Sequence, residues 1–173
     1  MKVFIGCASS DDIPDIYNED CEKLINRLME NNDLVYGAYN KGLMGMCFNE
    51  AKSHNRRVTG IAPKTYQKDL EGLDCDKKIL TDTIIDRTKS LMNECDAVLF
   101  LPGGIGTIHE LFVCIDSKRS NEFNKPIIIY NSNHYYDKLL EFLDKLYSEE
   151  FTSSSVKECY FVTNNIDEVV KYL

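Results

Sequence analysis

Short apolar runs and amphipathic stretches alternate from one end of the chain to the other. Lys2–Cys7 predicts a strand. Pro14 suits the first turn of a helix, and Ile16, Leu24, Ile25 and Leu28 give that helix an apolar face to about Asn31. Asp33–Gly37 predicts a short strand, and after a Gly42-Leu43-Met44-Gly45 turn, Met46–His54 predicts a second helix. Arg57–Ala62 is a third strand, stopped by Pro63. Residues 64–78 are polar and without a clear period, as in a loop or short helix, and a brief strand follows at Lys78–Thr81.

The second half repeats the alternation. Asp82 or Thr83 can cap a helix that runs to about Glu94. Ala97–Leu101 is a continuous apolar run ended by Pro102, the pattern of a strand buried on both faces. Helices are expected over Thr107–Lys118, Tyr135–Tyr147 and Ile166–Tyr172, with strands at Pro126–Tyr130 and Cys159–Val162 between them. Strand and helix in regular alternation imply right-handed crossovers and an α/β fold, with a mostly parallel sheet covered by helices on both faces. No repeat, low-complexity tract or linker divides residues 1–173, so one domain is expected.

Composition narrows the functional classes. Hydrophobic residues make up 43% and charged residues 28%, a globular balance. The net charge of −8, from 20 Lys and Arg against 28 Asp and Glu, disfavours nucleic acid as a partner. No apolar stretch is long enough for a membrane span, and the N-terminal run is too short for a signal peptide. The seven cysteines are odd in number and contain no C-x-x-C pair, which fits reduced thiols in a cytoplasmic protein better than disulfides or zinc. His54, His109 and His134 are not at metal-ligand spacing.

Six of the 9 glycines fall in two clusters: Gly37, Gly42 and Gly45, then Gly103, Gly104 and Gly106. Each cluster follows a predicted strand and precedes a predicted helix. In an open parallel sheet, ligands sit beyond the carboxyl ends of the strands. Glycine lets the backbone approach a ligand, and the helix start that follows offers free N–H groups to an anion. Two such clusters favour a site for a phosphorylated small molecule over tight turns alone. Neither a nicotinamide fingerprint nor a P-loop is present. Ser9 and Ser10, after the first strand, either contact a phosphate or form the turn before Pro14.

Pro102–Glu110 is the most specific stretch. Thr107 and Glu110 form a T-x-x-E capping box, one reading of Glu110. The other places its carboxylate in the pocket beside the glycine backbone, to activate a water or hold a ribose hydroxyl. Arg87 and Lys89 precede the same strand and either meet a phosphate or lie on a solvated helix face. His109 is a lone histidine beside the helix start, where packing or exposure is the ordinary role.

Pro102–Glu110 resembles P-G-G-x-G-T-x-x-E, the signature of the LOG ("Lonely guy") proteins, cytokinin riboside 5′-monophosphate phosphoribohydrolases long mislabelled as lysine decarboxylases. Cys7-Ala8-Ser9-Ser10, with Tyr17 downstream, is similar to the family's C-G-S-S. Tyr36-Gly37 followed by Gly42-Leu43-Met44-Gly45 resembles Y-G-G-G-x-x-G-L-M-G, and Gly60-Ile61-Ala62-Pro63 resembles G-V-I-P. Arg87 with Asp96-Ala97, then Lys125-Pro126 and Tyr135-Tyr136, extend the match over nearly the whole chain. His109, Thr88, Leu91, Ala38, Tyr39 and Asp116-Ser117 depart from the family pattern.

The resemblance implies a Rossmann-like three-layer α/β/α fold, usually a homodimer, and no metal or redox cofactor. It implies hydrolysis of the N-glycosidic bond of a nucleoside 5′-monophosphate, AMP or cytokinin-type, to free base and ribose 5-phosphate. Glu110 takes the place of the catalytic glutamate and Arg87 that of the essential arginine. Gly103, Gly104, Ile105, Gly106 and Thr107 take the phosphate loop; from their positions, Ser9, Ser10, Gly37, Gly42 and Lys89 are expected as further phosphate or nucleotide contacts. The competing class is a non-catalytic nucleotide-binding, carrier or sensor module, because the fold alone does not fix the activity. Nothing marks a Schiff-base lysine for a decarboxylase.

Overall fold

The first strand, β1 (Lys2–Gly6), is buried on both faces over Val3–Ile5, and the architecture is the covering of those two faces. The computed structural model describes residues 1–173. The other strands are β2 (Asp33–Tyr36), β3 (Val58–Pro63), β4 (Lys77–Thr81), β5 (Ala97–Phe100), β6 (Ile127–Tyr130) and β7 (Phe161–Thr163). Together they make a 7-stranded sheet in the order β4-β3-β2-β1-β5-β6-β7, with every neighbouring pair parallel.

Alternate residues of each strand supply opposite cores, as the two-residue period of a strand requires. Val3, Ile5, Leu34, Tyr36, Leu99 and Tyr130 face one side, packing on α1 (Asp15–Met29), α2 (Gly42–Ser53) and α7 (Ile166–Tyr172) through Leu24, Leu28, Cys47 and Val169. Phe4, Val35, Val98, Phe100 and Ile129 face the other, packing on α4 (Ile84–Glu94), α5 (Ile105–Arg119) and α6 (Asp137–Ser148) through Leu91, Leu111, Cys114 and Leu143. The fold is Rossmann-like, three layers with the sheet in the middle. No helix is long and apolar enough to cross a membrane, and all seven cysteines are free.

The element boundaries move where backbone geometry overrides the hydrophobic period. The second helix starts at Gly42, not Met46, so the residues read as a turn form its first turn. Gly42 enters with φ +56° and its amide donates to Asp11 Oδ1 at 2.8 Å. The polar residues after β3 form a 3-10 turn at Lys64–Tyr66 and a short helix, α3 (Gln67–Glu71). Ser154–Cys159 is a 3-10 turn, which shifts β7 to Phe161–Thr163. Thr83, not Asp82, caps α4, its hydroxyl oxygen accepting from the Asp86 amide at 3.1 Å.

The chain winds outward from β1 to β4, then crosses back through α4 to lay β5 on the other side of β1. That reversal opens a crevice at the carboxyl ends of β1 and β5, the position where this architecture places ligands.

Candidate active site

The fifth helix begins two residues before the sequence pattern predicts. Gly104 is its N-cap, in extended conformation, and no side chain caps it. Thr107 is therefore inside the first turn, and the T-x-x-E capping box does not form. The buried Thr107 hydroxyl donates instead to the Cys7 carbonyl at 3.1 Å, tying the helix start to the end of β1. A Cβ at Gly103 would fall 2.2 Å from Thr107 Oγ1, so glycine is what lets the two come together.

The loop before this helix has its carbonyls fully occupied. Leu101 accepts from the Tyr136 hydroxyl at 2.6 Å, Pro102 from the Ala8 amide at 2.9 Å and Gly103 from the Tyr135 hydroxyl at 2.6 Å. Oxygens that would repel an anion are thus turned into the protein. The amides of the first helical turn have no intrahelical partner and carry the positive end of the helix dipole. Space around Gly104 and Gly106 is open, with no atom beyond the local backbone within 4 Å of where a Cβ would lie.

These amides border a cavity of about 530 Å³ at the switch point. Gly6, Cys7 and Ser9 line it from β1, Gly104, Ile105, Gly106 and Thr107 from the helix start, and Gly37, Ala38, Tyr39 and Met44 from the β2 end. Pro63, Tyr66, Asp69 and Ile84 close the far side, beyond β3. The cavity holds one ion pair. Arg87 reaches in from α4, its Nη1 donating to Glu110 Oε1 at 2.9 Å and its Nε to the Ile61 carbonyl at 3.3 Å.

Glu110 is 5% exposed. Burial pushes its carboxyl above the usual carboxylate range, and the Arg87 guanidinium opposes that shift without cancelling it. Its other oxygen lies against Gly6, where a Cβ would come 3.3 Å from Oε2. A carboxylate so placed, desolvated but kept available for ionisation by one cation, is suited to proton transfer or to stabilising nearby positive charge.

The structure thus brings together Glu110, Arg87, Gly104, Ile105, Gly106, Thr107, Ser9 and Gly37 around one cavity. It leaves others outside the lining. Gly103 is buried against Thr107. The Ser10 hydroxyl oxygen accepts from the Asp12 amide at 3.1 Å, closing a local turn. Gly42 packs against the Ser10 and Ala8 carbonyls. Lys89 and His109 lie exposed on their helices, away from the cavity. Sequence reasoning does not single out Tyr66, Asp69 or Ile84. Their only signal is position, just after β3 and at the capped start of α4.

A family model described as "Possible lysine decarboxylase" matches residues 44–173. Over 174 aligned residues the chain is 31% identical to the cytokinin riboside 5′-monophosphate phosphoribohydrolase LOG2 of Arabidopsis thaliana, covering 99% of this chain and 82% of that one. The protein belongs to the LOG family. LOG3 of the same plant is 32% identical over 99% of this chain and 81% of its own length. Among solved structures, the molybdenum cofactor binding protein of Rippkaea orientalis aligns with TM-score 0.71 and 17% identity, covering 98% of this chain and 93% of that one. The Moco carrier protein of Chlamydomonas reinhardtii aligns at 0.67 with 15% identity, over 98% and 93%. At those identities the likeness is one of fold. In this LOG-family chain the Glu110–Arg87 pair sits at the switch point of that fold.

Proposed function

We propose that this LOG-family protein hydrolyses the N-glycosidic bond of a nucleoside 5′-monophosphate, AMP or cytokinin-type, releasing free base and ribose 5-phosphate. One observation carries the reading: Glu110 leaves its own helix start uncapped and turns a buried carboxylate to Arg87 inside the cavity. The phosphate is held by the free amides of Gly104–Thr107 with Ser9 beside them. Glu110 lies one helical turn from Gly106 and Thr107, which puts its carboxylate within a ribose of that anion.

As the bond to the base breaks, its electron pair leaves with the base nitrogen and positive charge grows at the anomeric carbon. The Glu110 carboxylate opposes that charge and accepts a proton from the water that attacks the same carbon, and that proton passes on to the departing base nitrogen, which leaves as the neutral base and restores the carboxylate. Arg87 keeps the carboxylate ionised and oriented. The base lies toward Tyr39, Met44, Tyr66 and Ile84, the apolar and aromatic side of the cavity.

Two further features of the expected protein belong to this proposal. Ile84 and Ile105, which line the cavity, are 53% and 87% exposed, Ile85 next to Ile84 in sequence is 73% exposed, and a homodimer would cover them. Seven free thiols, five of them buried, fit a reducing, cytoplasmic compartment.

The test is a panel of nucleoside 5′-monophosphates incubated with purified protein and assayed for free base. Release of base from any of them supports the hydrolase. Tight binding of a nucleotide without release assigns the chain to the carrier or sensor class, whose fold it shares.

A further inference from the structure

We infer that Gly37 is a positioning residue, whose missing side chain is the slot that seats the Arg87 guanidinium on Glu110. The inference rests on the reading of Arg87 and Glu110 as the working pair, and gives Gly37 a role other than contact with the nucleotide.

Space is the first observation. A Cβ built on Gly37 would lie 1.8 Å from Arg87 Nη2 and 2.9 Å from its Cζ. The outer arm of the guanidinium therefore rests directly on the Gly37 backbone. The other two attachments are the Ile61 carbonyl on Nε and Glu110 on Nη1. Three elements, the end of β2, β3 and α5, thus fix one planar group.

Backbone conformation is the second. Gly37 itself has a φ outside the left-handed region, so no left-handed turn calls for glycine there. The residue that does take positive φ is its neighbour Ala38, at 57°. The chain carries glycine where a side chain needs the room and alanine where the backbone would favour glycine. Packing on Arg87, not turn geometry, accounts for the choice.

The contacts also say what an added methyl would displace. The nearest atoms, Arg87 Nη2 and Met44 Cε at 2.8 Å, end long flexible side chains rather than backbone. A methyl at Gly37 is accommodated by moving them, so Gly37→Ala folds and the displacement falls on the guanidinium.

The test is a double-mutant cycle on the full chain, with nucleotide hydrolysis and carbon-13 NMR of the Glu110 carboxyl as separate readouts. Gly37→Ala lowers kcat by about 100-fold with KM within about threefold. In an Arg87→Ala background the same methyl costs less than about threefold, because the group it displaces is gone. Arg87→Lys, which has no Nη2 arm, likewise tolerates the methyl. By NMR, Glu110 titrates at higher pH in Gly37→Ala than in wild type, moving toward its position in Arg87→Ala. Equal losses in all backgrounds, or an unmoved Glu110 titration, overturn the inference. A wild-type protein that releases no base from any nucleotide defeats the hydrolase reading, and the NMR titration then decides the seat by itself.

Discussion

The Glu110 carboxylate meets the Arg87 guanidinium at 2.9 Å and makes no bond to the start of its own helix. That geometry separates two uses of one glutamate. A cap would leave the carboxylate at the surface with its charge on the helix dipole, whereas here the group is buried among β1, α4 and α5. Glu110→Gln keeps the shape and an acceptor for Arg87 but cannot ionise. Base release is expected to fall by at least about 100-fold, while nucleotide binding, measured by calorimetry, changes little. A variant with normal turnover and a lowered melting temperature would return Glu110 to a structural role.

The pH dependence follows from the same burial. In the proposed reaction Glu110 works as the carboxylate, so activity is expected to be lost as pH falls through its folded-state pKa. Burial raises that pKa, and Arg87 only partly opposes the rise. The acid limb of the kcat/KM profile is therefore expected above about 4.3, the ordinary glutamate value, and Arg87→Ala moves it higher still. Stability has the opposite sense. A carboxyl raised in the folded state contributes stability below its unfolded pKa that is lost as pH rises through the folded one. Urea midpoints measured across that window should decline more steeply for wild type than for Glu110→Gln, and a common slope would contradict the assignment.

Arg87→Ala also removes one partner of a buried pair. Breaking such a pair costs about 3 kcal/mol when the remaining charge cannot reach water. Glu110 can escape part of that cost by taking up a proton. The loss is expected to be largest at neutral pH and to shrink at acid pH, a trend that chemical denaturation at two pH values reads directly. A pH-independent loss would mean that the arginine stem, not its charge, supplies the stability.

Much of the fold was legible because the strands carry their own signature. Val3–Ile5, Ala97–Leu101 and Ile127–Tyr130 are unbroken apolar runs, and with helical stretches alternating between them they fit a parallel sheet covered on both faces. Pro102–Glu110 marked the candidate site because its glycines leave bare backbone next to a helix start, a surface suited to an anion. Sequence left two readings of Glu110 open because Thr107 and Glu110 have the right spacing for a cap, and spacing does not reveal that Gly104 starts the helix earlier. Arg87 and Lys89 looked equivalent in sequence, but two positions along a helix differ by about 200° of rotation. One faces the sheet and the other faces solvent. The β3 side of the cavity was invisible, because Tyr66 and Asp69 lie on polar residues with no period and meet the site only through strand order.

Ile84 and Ile105 of the cavity lining remain exposed, as does Ile85 next to Ile84 in sequence. If a second copy covers them, a charge at the most peripheral one breaks the assembly without entering the site. Ile85 does not line the cavity, so Ile85→Glu is the informative change. Sedimentation or light scattering should show a dimer for wild type and a monomer for the variant. A monomeric wild-type protein at assay concentration would remove the dimer from the proposal.

The hydroxyls of Tyr136 and Tyr135 hold the loop carbonyls of Leu101 and Gly103, and the two bonds differ in their surroundings. Tyr136 is fully buried, so Tyr136→Phe leaves the Leu101 carbonyl without a partner that water could replace. An orphaned buried acceptor costs about 1–3 kcal/mol. Tyr135 is 38% exposed, and water can satisfy the Gly103 carbonyl once its hydroxyl is removed. Tyr135→Phe should therefore cost less, within about 1 kcal/mol. Urea denaturation with an unchanged m-value distinguishes the two. Both variants free a carbonyl next to the amides proposed to hold phosphate, so both should raise the KM for a nucleotide more than they lower kcat. If Tyr136→Phe destabilises the fold yet leaves KM untouched, its hydroxyl serves packing alone and the loop keeps its shape through the Ala8 and Thr107 bonds.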